Sequence, residues 1–152
     1  MAEPTPEMLP VFAGTVVKAH PDDYTVASIG PGDAEEARRR LSRLQPFSSV
    51  TYDHNEVSVV LRSSEWESLD QHFSGAMVEG PYRLITFDVV LDLSLVGFLS
   101  VVSGLLAENG VSIYALSTYL RDHILVKKED AAKAVGLLNG LVERSRKLLE
   151  KG

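Results

Sequence analysis

The segment from Gly97 to Asp130, GFLSVVSGLLAENGVSIYALSTYLRDHILVKKED, leaves few folds open. It reads as helix, glycine stop, strand, tight turn, strand, and the start of another helix. Leu95, Phe98, Leu99, Val102, Leu105 and Leu106 recur three and four apart, the stripe of an amphipathic helix. Val96 and Val101 widen that stripe. Asp92 or Ser94 is placed to cap the helix start. Asn109-Gly110 ends it, glycine accepting the left-handed conformation of a helix stop. Val111–Thr118 and Ile124–Lys127 read as strands, and Glu129 to Leu149 as the final helix.

The first half repeats this order in pattern, though not in letters. Met1 to Pro10 reads as a flexible arm and Val11–Val17 as a short strand. Tyr24–Ile29 is β-branched and aromatic, bounded by Pro21-Asp22-Asp23 and Gly30-Pro31-Gly32. Asp33 to Leu44 reads as a helix, with Glu35 and Glu36 in its first turn and arginines from Arg38 to Arg43 later. Phe47–Tyr52 and Val57–Leu61 form a candidate hairpin across Asp53-His54-Asn55-Glu56. A short helix from Glu65 to His72 carries the only Trp, Trp66. Gly80-Pro81 punctuates the middle, before an apolar strand from Arg83 to Leu91. The expected architecture is α+β: two ferredoxin-like βαββαβ subdomains in tandem, with antiparallel sheets and helices on one face. Residues 11–79 make the degenerate unit and 80–152 the clearer one. The second unit lacks its own last strand, which Val11–Val17 would complete.

Composition removes several function classes. A formal charge of −6 and the absence of Cys argue against nucleic-acid binding, anionic membranes, disulfides and thiolate metal sites. No apolar run reaches the roughly 18 residues that span a bilayer, and the acidic start, MAEPTPEMLP, is unlike a signal peptide. A cytoplasmic location is the expectation. His20, His54, His72 and His123 lack metal spacing, and no nucleophile elbow, Walker loop or zinc-protease motif is present. Neither an enzyme nor a bound cofactor or metal is expected.

One end of the second unit gathers binding chemistry. The loop entering the Leu95 helix offers unpaired N–H groups and the positive end of a helix dipole, which suit a carboxylate. Gly97 permits close approach of backbone or ligand, or simply tight packing of helix on sheet. Ser94 can cap the helix or donate to a ligand oxygen. Ser117 and Thr118 offer hydroxyls at a strand end, and Asp122 one negative charge. Asp122 can equally start a strand and pair with Arg121 or Lys127. Tyr119 reads as a rim or interface aromatic, and His123 as a packed or surface histidine. The turn, centred on Leu120-Arg121, lacks the Asn-Gly or Asp-Gly of common two-residue hairpins.

The runs Asp92-Leu93-Ser94-Leu95-Val96-Gly97, Leu105 to Tyr114, Leu116 to Tyr119 and Asp122 to Val126 resemble the amino-acid-binding ACT domain of the aspartokinase type. They are also similar to the tandem ACT modules of the cytosolic arginine sensor of animal cells. The resemblance implies a regulatory module that binds a free amino acid where two ACT domains meet, in a homodimer, with a regulated enzyme as a possible partner. It implies ligand contacts from Asp92, Ser94, Leu95, Gly97 and Phe98 in the loop and helix start. It adds Ser117, Thr118, Tyr119 and Asp122 at the strand tip, and Ser112 and Ile113 from a neighbouring domain. Leu95 stands where the sensor has an acidic residue, which points away from arginine and toward a less basic or apolar amino acid. The alternative is a ligand-free ACT-type interaction module that regulates a partner enzyme.

Overall fold

Two long strands organise the chain, and both run through residues that read as breaks in the sequence. In the computed structural model, which describes residues 3–152, strand β1 spans Val16–Ile29 and strand β4 spans Met77–Asp88. β1 passes straight through Pro21, and β4 through Gly80-Pro81. The ring of Pro21 fixes φ near the extended range and removes one N–H, which a strand tolerates where that N–H is not needed by the ladder. The order of strands in the six-stranded sheet is β2-β3-β1-β4-β6-β5, with β2 at Ser49–Tyr52, β3 at Val57–Arg62, β5 at Tyr114–Ser117 and β6 at Asp122–Lys127.

Contacts divide the chain into two compact units, residues 22–82 and the remainder. This differs from the sequential division expected at residue 79, because both long strands serve both units. In the 22–82 unit, β1 pairs antiparallel with β3 (Ala27↔Val59) and β2 pairs with β3 (Val50↔Val59). Helix α2 (Ala34–Arg40) follows a short 3-10 turn, and helix α3 (Ser63–Leu69) follows β3. Ala27, Ile29, Val57, Val59 and Leu61 lie on one face by the two-residue period of a strand. They pack against Ala37, Leu41, Trp66 and Phe73. Asp53 Oδ1 accepts the N–H groups of Asn55 and Glu56, which closes the expected hairpin.

The second unit holds helix α1 (Leu9–Ala13), helix α4 (Phe98–Glu108) and helix α5 (Ala131–Glu150). Residues 9–13 are therefore helical, not part of an arm or a strand, whereas Met1 and Ala2 lie outside the described residues. The apolar side chains Met8 and Phe12 explain the difference: both are buried, and Phe12 stacks on Phe98 at 4.6 Å between ring centroids. Arg146 Nε of α5 donates to the Ala13 carbonyl at 2.9 Å. Ile85, Phe87, Ile124 and Val126 face these helices. In this unit β4 has β6 on one side and the N-terminal part of β1, beginning at Val16, on the other.

Candidate functional site

Helix α4 begins one turn later than its apolar spacing suggests. Its N-cap is Gly97, at φ 97°, with no side-chain cap. Neither Asp92 nor Ser94 caps the helix. Asp92 instead closes a turn of its own: its Oδ1 accepts the Ser94 N–H at 2.8 Å and the Ser94 hydroxyl at 2.6 Å. Those two bonds, the hydroxyl's first, hold the Asp92 carboxyl below its ordinary value. Leu95 and Val96 lie in the loop, not in the helix. A Cβ on Gly97 would also stand 3.2 Å from Met8 Cε. The first-turn N–H groups at Phe98, Leu99 and Ser100 have no acceptor within the helix.

The turn between β5 and β6 faces this helix start. Thr118 N–H donates to the Arg121 carbonyl at 2.9 Å, and the Thr118 hydroxyl donates to the same oxygen at 3.0 Å. The turn is thus centred on Tyr119-Leu120, one residue earlier than expected. No described residue other than glycine has positive φ, so the turn avoids the backbone that would have required Asn-Gly. Leu91 N–H donates to the Leu120 carbonyl at 2.8 Å, tying the 91–97 loop to the turn.

Between loop, helix start and turn lies a cleft of about 310 Å³, near the lower end of the range for small-ligand sites. Asp92, Leu95, Gly97, Phe98, Ser117, Thr118, Tyr119 and Asp122 line it, as do Leu91, Leu93, Leu99, Ser100 and Arg121. Ser94 instead lines a separate cavity of about 580 Å³ with Thr5, Glu7 and Met8. Ser112 is exposed away from the cleft, and Ile113 packs against the helical core.

Charges around the cleft are largely committed. Asp122 stands opposite Ser117 in the ladder and accepts its hydroxyl at 2.6 Å. Arg121 pairs with Asp88 at 2.9 Å, and Asp88 also binds Lys18 at 2.9 Å. The hydrogen bonds from Lys18 and Arg121 hold the Asp88 carboxyl below its usual range. The Arg121–Asp88 pair escaped the sequence reading, which offered Arg121 to Asp122, although a lone Asp inside the apolar run RLITFDVV signals a paired carboxylate. Among the described residues no cluster of His, Asp or Glu could hold a metal ion, and no helix is long and apolar enough to cross a membrane.

Comparison with solved structures places the fold. A protein of unknown function from Vibrio cholerae, named as a possible transport protein, is 24% identical; the match covers 89% of this chain and 95% of that one, with a TM-score of 0.69. The regulatory subunit of aspartate kinase from Thermus flavus is 13% identical over 82% of this chain and 95% of its own, with a TM-score of 0.62. Aspartate kinase from Clostridium acetobutylicum is 13% identical over 83% of this chain and 34% of that one, with a TM-score of 0.67. Comparison with curated proteins finds no match. Residues 78–140, which run from β4 through α4, β5 and β6 into α5 and so hold the cleft, match the model of the ACT domain.

Proposed function

We propose that this chain is a non-catalytic regulatory protein that binds a free amino acid in the cleft beside Asp122, at an ACT–ACT interface in a homodimer. The observation that carries this reading is the meeting of the α4 N-terminus and Asp122 around one cleft. An α-carboxylate suits the first-turn N–H groups of α4, and an ammonium suits Asp122, whose carboxylate keeps lone pairs beyond the one given to Ser117. Leu91, Leu93, Leu95 and Leu99 then face the ligand's side chain. Asp88 is engaged by Lys18 and Arg121, so a basic side chain meets a carboxylate whose charge is already balanced. An apolar or weakly polar amino acid fits this set best.

The reading takes the fold as two ferredoxin-like subdomains in tandem. In the 22–82 unit the elements run β1, α2, β2, β3, α3, β4, with spatial order β2-β3-β1-β4. The other unit repeats that spatial order as β5-β6-β4-β1, with β1 in the place of its last strand. Leu93, Val96 and Tyr119 stand 70%, 85% and 76% exposed near the cleft. Such an apolar rim favours a second copy, whose 111–114 segment, with Ser112 and Ile113, would close the site. The aspartate kinase regulatory subunit of the same fold supports a regulatory role and a partner enzyme.

Calorimetry with each of the twenty amino acids tests the proposal. Binding of an apolar amino acid at micromolar to millimolar affinity is the expected result. No heat from any of them at millimolar concentration removes the ligand and leaves an interaction module. Sedimentation at micromolar concentration tests the dimer, and a strict monomer excludes an interface site.

A further inference from the structure

Three side chains on the strands and one in the β5–β6 turn form a connected chain that no binding role requires. His20 Nε2 lies 2.8 Å from Thr86 Oγ1, which lies 2.9 Å from His123 Nδ1. His123 Nε2 lies 3.2 Å from Thr118 Oγ1. His123 is 7% and Thr86 8% exposed. The last link sets the direction of the others. A carbonyl only accepts, so the Thr118 hydroxyl spends its proton on the Arg121 carbonyl. His123 Nε2 must then carry a hydrogen and donate to Thr118. In a neutral ring Nδ1 is the acceptor, so it takes the Thr86 proton, and Thr86 Oγ1 accepts from His20 Nε2–H. Every proton in the row finds an acceptor.

A second proton on His123 reverses this order. Nδ1 becomes a donor to Thr86 Oγ1, whose own hydrogen then turns to His20 Nε2, an acceptor in the other neutral tautomer of that ring. The new charge also sits behind Thr118, a wall of the cleft, and beside Asp122. The titratable and charged groups around His123 are His20 on β1, Arg121 at the end of the β5–β6 turn, Asp122 on β6, and the Asp88–Lys18 pair beyond Arg121. Burial first, then His20, holds the ring below its ordinary value, and Arg121 adds to this against Asp122.

We propose that His20, Thr86, His123 and Thr118 act as one proton-ordered row that couples ligand binding in the cleft to the charge on His123. The coupling rests on the amino-acid reading above; the row itself does not. An ammonium beside Asp122 and a proton on His123 oppose each other, so each weakens binding of the other. Affinity is then constant while His123 is neutral and falls as pH drops through its titration. The slope is at most about tenfold per pH unit, the limit for one displaced proton.

The test uses the full chain with L-leucine as probe, together with NMR titration of the His123 ring and of the Thr118–Arg121 amides. With L-leucine as ligand, affinity should hold constant above the ordinary histidine value of about 6.5 and fall as pH drops through the His123 titration seen by NMR, and the fall should vanish in His123→Gln. Without any ligand, the turn amides should still titrate together with the His123 ring. Thr86→Val, which removes the middle hydroxyl at nearly constant shape, should move that titration to lower pH, because the charged ring loses the acceptor of its Nδ1–H. Turn amides that ignore the His123 titration, or a Thr86→Val midpoint that stays in place, overturn the row. Leucine affinity that is pH-independent while the amides titrate overturns the coupling. If no amino acid binds, the function proposal fails and the amide titration still decides the row.

Discussion

Ser117 and Asp122 face each other across the β5–β6 ladder, and the serine hydroxyl donates to the aspartate at 2.6 Å. The bond fixes one carboxylate oxygen of a residue that lines the cleft together with the start of α4. Asp122→Asn keeps an oxygen for Ser117 and removes the charge. Amino-acid affinity should fall at least about tenfold, the scale of a hydrogen bond to a charged group. Stability should change by less than about 0.5 kcal/mol, as for a substitution outside the core. Calorimetry and urea unfolding of the variant measure the two effects, and undiminished affinity would place the ligand elsewhere.

Gly97 holds the loop in the left-handed region at φ 97°. Gly97→Ala should cost about 1–2 kcal/mol from backbone conformation alone. The added methyl also meets Met8 Cε, but that is the end of a flexible side chain. Urea unfolding of Gly97→Ala, Met8→Ala and the double variant separates the causes. Losses that add assign the cost to the backbone, and strong coupling assigns it to the Met8 contact.

The elements with clear periodicity were legible in the sequence: α4 from its apolar spacing, β6 and α5 from theirs, and the β2–β3 hairpin from its turn residues. Pro21 and Gly80-Pro81 misled, because local turn chemistry does not report that a long strand can carry a proline where its ladder needs no N–H. Helix α1 was hidden by its five-residue length, too short for any period, and is held by tertiary packing of Phe12. Around the cleft, residue types announced Asp122, Ser117 and the loop. The Arg121–Asp88 pair and the His123 row join residues 33 and 37 apart in sequence, so only the strand order brings them together.

Phe12 lies between α1 and the core, stacked on Phe98, which also meets Phe87 edge-on at 5.5 Å. Phe12→Ala should destabilise the chain by about 3 kcal/mol, the lower range for a buried aromatic truncated to Ala. A residue in a loose arm would cost less than about 0.5 kcal/mol. Thermal or urea unfolding distinguishes the two. The loss should also loosen the start of α4, read as faster hydrogen exchange in its first turns.

Asp88 makes the acid side of the stability profile. Its carboxyl is depressed by hydrogen bonds from Lys18 and Arg121, the first the larger, so the folded chain binds its proton less readily than the unfolded chain does. The sign follows: the contribution is fully present above the unfolded value of about 3.9 and is lost as pH falls through the lower folded value. Because all three side chains are partly exposed, salt should weaken it. Asp88→Asn should therefore reduce stability at neutral pH, with the difference from the native chain shrinking as pH falls below about 4. The same substitution releases Arg121 at the cleft, so the turn amides from Thr118 to Arg121 should shift at neutral pH. A stability difference that is the same at pH 7 and at pH 3 would mean that the pair contributes through packing and not through charge.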